Sequence, residues 1–132
     1  MERAKKSLSQ NFLIDKNICK KITKLTNINN EIVIEIGPGK GFLTKYILFD
    51  KPKKLILIEK DDKLYENLLI DYKKNKSVML INDDIFNFNF NKFKNVIIIS
   101  NLPYNISTKI ILHLFKYKNN IKEMIFMVQK EV

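Results

Sequence analysis

The residues best suited to chemistry in this 132-residue chain fall in a few short segments. The first, Gly37-Pro38-Gly39-Lys40-Gly41, places glycines at alternate positions. Glycine lets a backbone approach a ligand closely and adopt positive φ, which a side chain would obstruct. A dinucleotide-binding turn would carry its third glycine at position 42, where Phe42 stands. The observed spacing instead suits a ligand with no pyrophosphate to seat on a helix N-terminus. Glu59 follows Gly37 by 22 residues, at the place from which a carboxylate can accept hydrogen bonds from both hydroxyls of a ribose. Together they point to an adenosine-binding site, the alternative being a tight turn followed by an exposed acid. Asp83 and Asp84 add carboxylates that can accept from an adenine amine, or serve as solvated turn residues.

The second kind of chemistry lies in Asn101-Leu102-Pro103-Tyr104. An aromatic amine is a poor nucleophile because its lone pair is delocalised into the ring. Two acceptors that hold both N–H bonds, here the Asn101 side-chain oxygen and the Leu102 carbonyl, favour a pyramidal nitrogen and stabilise the charge developing on it. Tyr104 offers a stacking surface for an extruded base, and Pro103 stiffens the turn. Taken in isolation, the same four residues also read as a proline-containing loop with a surface tyrosine.

These segments need a scaffold that brings them together. Short β-branched runs alternate with longer amphipathic stretches, a pattern of βαβ units around a parallel sheet covered on both faces. Strands are predicted at Ile32–Ile36, Lys54–Ile58, Val78–Ile81, Asn95–Ser100 and Glu123–Val128, and helices at Lys16–Leu25, Lys40–Phe49, Asp62–Lys74 and Ser107–Tyr117. Asp61 or Asp62 is expected to cap the helix over 62–74, and Ser107 the one it begins. In a sheet of order 3-2-1-4-5 the fourth strand lies beside the first, at the switch point where ligands bind, so Asn101 belongs next to the glycine turn. The expected division is a basic segment and helix over residues 1–30 and a partial catalytic domain over 31–132.

Composition limits the rest. The net charge is +10. Residues 1–30 and 91–132 each hold seven basic and two acidic side chains, whereas 61–90 hold four and six. Two basic faces of this kind suit a polyanion, since neutralised phosphates release counterions; a merely solvated lysine surface is the other reading. The longest apolar runs are strand length, far short of the ~20 residues of a membrane span. Ser7 to Asn11 is polar where a signal peptide places its apolar stretch. With a single cysteine, Cys19, which excludes an internal disulfide framework, these features imply a cytoplasmic location.

Read in order, Ser7 to Leu13 (SLSQNFL), EIGPGKGFLT from Glu35, IEKD from Ile58, the Asp83-Asp84-Ile85 turn, NLPYNIST from Asn101 and the closing VQKEV resemble the ribosomal small-subunit (16S) RNA adenine N6-dimethyltransferase family across almost the whole chain. The resemblance implies a Rossmann-like class I S-adenosylmethionine-dependent methyltransferase. Its cofactor contacts fall on Asn11, Leu13, Gly37, Glu59, Asp84 and Asn101, and its catalytic turn is Asn101, Leu102, Pro103 and Tyr104. It implies transfer of methyl groups from S-adenosylmethionine to two neighbouring adenosines near the 3′ end of small-subunit rRNA, in the immature small ribosomal subunit, with no metal and no membrane. Members of the family continue with two further strands, a second aromatic at the base and a helical C-terminal domain. The implied domain here is therefore truncated after its fifth strand, keeping the cofactor site but lacking the parts that dock RNA.

Two rivals share these residues. The large-subunit (23S) RNA adenine methyltransferases of the macrolide-resistance type carry an NLPY-type turn, and Lys109, where the small-subunit family often has proline, removes one mark that would separate them. The other rival is an RNA-binding protein that keeps the fold without the chemistry. His113 has no second His or Cys cluster to form a metal site. Cys19 reads as core, and Phe86, Phe88, Phe90 and Phe93 read as packing under a loop.

Overall fold

The computed structural model describes residues 16–129. Its elements run α1 (Lys16–Lys24), β1 (Ile32–Ile36), α2 (Phe42–Phe49), β2 (Lys54–Ile58), α3 (Asp62–Tyr72), β3 (Val78–Ile81), 3-10 turns at Ile85–Asn87 and Phe90–Lys92, β4 (Val96–Pro103), α4 (Tyr104–Phe115) and β5 (Ile121–Gln129). The five strands form one sheet in the order β3-β2-β1-β4-β5, and every neighbouring pair is parallel. This is the Rossmann-like arrangement expected of the sequence.

Each face of the sheet has its own core, which explains the continuous apolar runs. Val33, Leu55, Leu57, Ile97 and Ile99 point one way and pack with Cys19 and Ile22 of α1, Leu43 and Ile47 of α2 and Leu68 of α3. Ile34, Ile36, Ile56, Ile58 and Ile98 point the other way and pack with Ile110 and Leu114 of α4 and with Phe90. A strand covered on both faces has no polar side to show, so the period-two alternation is lost.

Several boundaries differ from expectation, those of α2, β4 and the start of α4 for a local reason. The helix expected from Lys40 begins at Phe42 because Gly41 sits at φ 84°, a left-handed conformation a helix interior does not accept. The strand expected to end at Ser100 continues through Pro103, since Asn101, Leu102 and Pro103 stay in register with Met127, Val128 and Gln129 of β5. Asn101, Leu102 and Pro103 are thus the tip of a strand rather than a loop, and Tyr104 opens the next helix. Ser107 does not cap α4: the helix starts at Tyr104 behind Pro103, whose φ of −61° suits helix entry, and the Ser107 hydroxyl donates to the Tyr104 carbonyl at 2.9 Å. Asp61 does cap α3, accepting from the Leu64 N–H at 2.9 Å. The fifth strand begins two residues earlier than expected, at Ile121.

Candidate functional site

The carboxyl ends of β1 to β4 open onto a cavity of about 980 Å³, within the size range of small-molecule and cofactor sites. It is built first by backbone. Gly37 leaves β1 at φ 65° and donates its N–H to the Ile58 carbonyl at 2.8 Å, so the turn begins by bridging the two central strands. Gly39 follows at φ 59°. A Cβ placed on either glycine would meet nothing within 4 Å. The glycines therefore leave space beside a bared backbone, rather than making room for a protein neighbour.

Glu59 fixes the other side of that turn. It is only 5% exposed, and its carboxylate is held at both ends: Oε1 accepts from the Gly39 N–H at 2.9 Å and Oε2 from the Asp61 N–H at 3.0 Å. A carboxylate offers about four lone-pair sites, so each oxygen keeps capacity for one more donor, the number a ribose diol brings. The same side chain thus shapes the glycine turn and presents a pair of acceptors. Asn82 supports it from behind, donating to the Glu59 carbonyl at 3.0 Å.

Of the two acids after β3, Asp83 is committed to its own turn, accepting from the Asp84 N–H at 2.7 Å and the Asn87 side chain at 2.9 Å. These bonds hold its carboxyl below the usual range, the Asn87 side chain contributing most. Asp84 is half-buried and accepts through Oδ1 from the Phe86 N–H at 3.1 Å, capping the 3-10 turn.

Across the cavity, Asn101 extends β4 one residue past Ser100, which pairs with Ile36 and whose hydroxyl donates to the Ile36 carbonyl at 2.5 Å. The Asn101 Oδ1 is buried and has no hydrogen-bond partner. An acceptor shut away from water without a donor costs on the order of 1–3 kcal/mol, and Asn101 is one of the residues lining the cavity. Leu102 turns its side chain into the core at 3% exposure, whereas Tyr104, the first residue of α4, is 62% exposed.

Gly37, Glu59, Asp84, Asn101, Leu102 and Pro103 all line this one cavity. Tyr104 stands just beyond Pro103 and outside the lining; Asn11 and Leu13 lie outside the described residues. Sequence reasoning missed Ile58, Lys60, Leu64, Asn67, Ile85 and Asn105, which also face the cavity. Leu64 and Asn67 are three apart on α3 and share one helix face, a spacing that could have been noticed; the strand-end isoleucines look like any other core residue.

Beneath the site lies a second acid. Glu35 of β1 is 2% exposed and accepts from the Thr44 hydroxyl of α2 at 2.5 Å. Burial pushes its carboxyl up to about 8; the Thr44 bond opposes this and the nearby Glu59 charge adds to it. Glu35 is therefore neutral at pH 7. Among the described residues, no group of three or more His, Cys, Asp or Glu is placed to hold a metal ion, and no helix is long and apolar enough to cross a membrane. Cys19 is buried in the core as expected, as is Phe90, whose ring and that of Phe93 both pack against Phe88.

A family model described as ribosomal RNA adenine dimethylase matches residues 1–132. The chain is 46% identical over 138 residues to a protein of Pelagibacter ubique named ribosomal RNA small subunit methyltransferase A, covering 98% of this chain and 51% of that protein. It spans about half the length of the curated relatives it matches. A dimethyladenosine transferase from Plasmodium falciparum aligns with a TM-score of 0.73 at 29% identity, covering 88% of this chain and 42% of that one. The 23S rRNA methyltransferase ErmE aligns with a TM-score of 0.75 over 87% of this chain and 46% of its own, but at 19% identity that likeness speaks to the fold alone.

Proposed function

The chain belongs to the ribosomal RNA adenine dimethylase family, and from that premise we propose that it forms the cofactor-binding part of an rRNA adenine N6-dimethyltransferase. Its target in this reading is a pair of adjacent adenosines near the 3′ end of small-subunit rRNA in the immature small ribosomal subunit, and its setting is the cytoplasm. Residues 31–132 supply the methyltransferase domain, and residues 1–30 a basic segment in front of it. The 46% identity to a relative named for the small subunit supports that target over a large-subunit one.

The observation that carries the reading is the unpartnered Asn101 Oδ1 in the same cavity as the Glu59 carboxylate and the bared glycine turn. The cavity suits S-adenosylmethionine, with Glu59 holding the ribose hydroxyls, Asp84 the adenine amine, and the backbone at Gly37 and Gly39 lying against the rest. Asn11 and Leu13 are assigned to the same cofactor. S-adenosylmethionine supplies a methyl group already activated on a sulfonium, so no metal is needed.

The chain's own residues then have two tasks. Asn101 Oδ1 and the Leu102 carbonyl accept the two N–H bonds of the target amine, drawing its lone pair out of the ring, while Tyr104 stacks on the base and Pro103 holds the turn. Once the amine nitrogen carries the methyl group, its surplus proton would pass to water, while Asn101 Oδ1 and the Leu102 carbonyl would keep the nitrogen in place. Orientation and stabilisation of the developing charge carry most of the rate.

Calorimetric titration with S-adenosylhomocysteine tests the cofactor half, and absence of binding overturns it. Methyl transfer to immature small subunits, mapped by primer extension, tests the rest with the full-length enzyme. Asn101→Ala is expected to abolish transfer while weakening cofactor affinity only modestly. Retained transfer removes the proposed role, and marks on large-subunit RNA instead move the enzyme to the other branch.

A further inference from the structure

Among the described residues, a second buried side-chain atom without a hydrogen-bond partner is Nε2 of His113, which the proposed function leaves unused. His113 lies on α4, nine residues after Tyr104. Its ring meets Phe86 edge-on, with centroids 4.9 Å apart and planes at 69°. It also meets Tyr117 in the same manner at 5.5 Å and 63°. Tyr117 in turn packs on Phe90 at 5.0 Å, and Phe90 is fully buried.

Phe86 is the residue whose backbone N–H is held by the Asp84 carboxylate. A continuous path therefore runs from Asp84 on one wall of the cavity, through the 3-10 turn and the Phe86 ring, to His113 and along α4 to Tyr104 beside the other wall. A leucine in this slot would fill the space and strand no nitrogen. An imidazole provides a polarised edge instead, and polarised edges suit T-shaped contact with aromatic faces. Burial and the neighbouring Lys116 both favour the uncharged ring, against the attraction of Asp84.

We propose that His113 is a positioning residue, an aromatic brace that holds the Asp84 wall of the cavity in register with the helix that begins at Tyr104. The proposal rests on the cofactor reading of the cavity given above. Without the ring, the 3-10 turn loses the Phe86–His113 contact that ties it to α4, and Asp84 is less firmly set in place before the ligand arrives. The cost then falls on cofactor affinity.

The test compares the wild type with His113→Phe, which keeps a ring, and His113→Ala, which removes it. S-adenosylhomocysteine affinity is expected to fall about tenfold in His113→Ala, with His113→Phe in between. Amide hydrogen exchange at Phe86 in the ligand-free chain should quicken in His113→Ala while the amides of β1 and β2 stay as slow as in the wild type. Unchanged affinity in His113→Ala, a loss in His113→Phe as large as in His113→Ala, or faster exchange spread evenly over the whole sheet would each overturn the proposal. If the wild type fails to bind S-adenosylhomocysteine, the cofactor reading falls; the exchange at Phe86 still decides whether His113 braces the turn.

Discussion

Replacing Glu35 by glutamine should make the protein more stable, and more so as pH rises. In the fold the carboxyl sits at about 8 against an ordinary 4.5, chiefly because burial strips water from the charged form. Below pH 4.5 the group is neutral in both states and contributes no pH dependence. Between 4.5 and 8 the unfolded chain has released the proton while the folded chain still holds it, so stability falls as pH rises, by about 1.4 kcal/mol per unit. Above 8 the loss levels off, at roughly 5 kcal/mol in total for a shift of this size. Glutamine keeps an oxygen that can accept the Thr44 hydroxyl and carries no proton to lose. The advantage of Glu35→Gln over wild type should therefore grow by about 4 kcal/mol between pH 5 and pH 8. With a urea m-value of about 2 kcal/mol/M, that widens the gap between their midpoints by on the order of 2 M. Urea titrations of both proteins at several pH values measure it, and subtracting one from the other cancels the remaining titrating groups. A gap that stays constant with pH, or narrows, would refute the reasoning.

Other expectations follow from single contacts. Glu59→Ala removes an acceptor that serves the glycine turn and, in the proposed reading, the ribose; loss of bonds to a charged group at roughly 1.5–3 kcal/mol predicts S-adenosylhomocysteine affinity lower by about ten- to a hundredfold, and unchanged calorimetric binding would contradict the assignment. Asp61→Ala leaves the Leu64 N–H without its cap and should cost about 1 kcal/mol in urea unfolding; no loss would mean water replaces the carboxylate fully. Gly39→Ala meets no atom, so its stability cost is that of a left-handed backbone alone, about 1–2 kcal/mol, whereas ligand affinity should suffer more because the methyl enters the open side of the turn.

The strands and the ligand wall were legible to different depths. β1, β2 and β3 could be bounded from sequence because each is a run of apolar residues stopped by a turn former. The end of β4 could not, because whether Asn101 to Pro103 belong to a strand depends on their pairing with Met127 to Gln129, a partner 26 residues away. Ser107 looked like a cap because a serine before an apolar stretch usually is one. Pro103 competes for that role four residues earlier with a fixed φ, and wins. Glu59 was legible through its distance from Gly37, but its grip on Gly39 and Asp61 was not, since hydrogen-bond partners follow from the closed turn rather than from spacing.

What sequence hides most completely is whether a polar group is satisfied. Asn101 and Asn82 are the same residue type, one near the end of β4 and the other just past the end of β3, and nothing in composition separates them. In the fold, Asn82 spends its amide on the Glu59 carbonyl, while the Asn101 oxygen is buried with nothing to accept. Folding tolerates such a group only where other interactions outweigh its cost, and the surrounding β4 pairs and the Ser100 bond to Ile36 supply them. The deficit is placed at the switch point between β1 and β4, where the order of the sheet reverses and a crevice is unavoidable. An acceptor that water cannot reach is preorganised for an incoming N–H and has no solvent to shed when it arrives. Filling that slot from within, for instance by a substitution that donates to Oδ1, should therefore stabilise the fold and, in the proposed reading, cost it the target amine together.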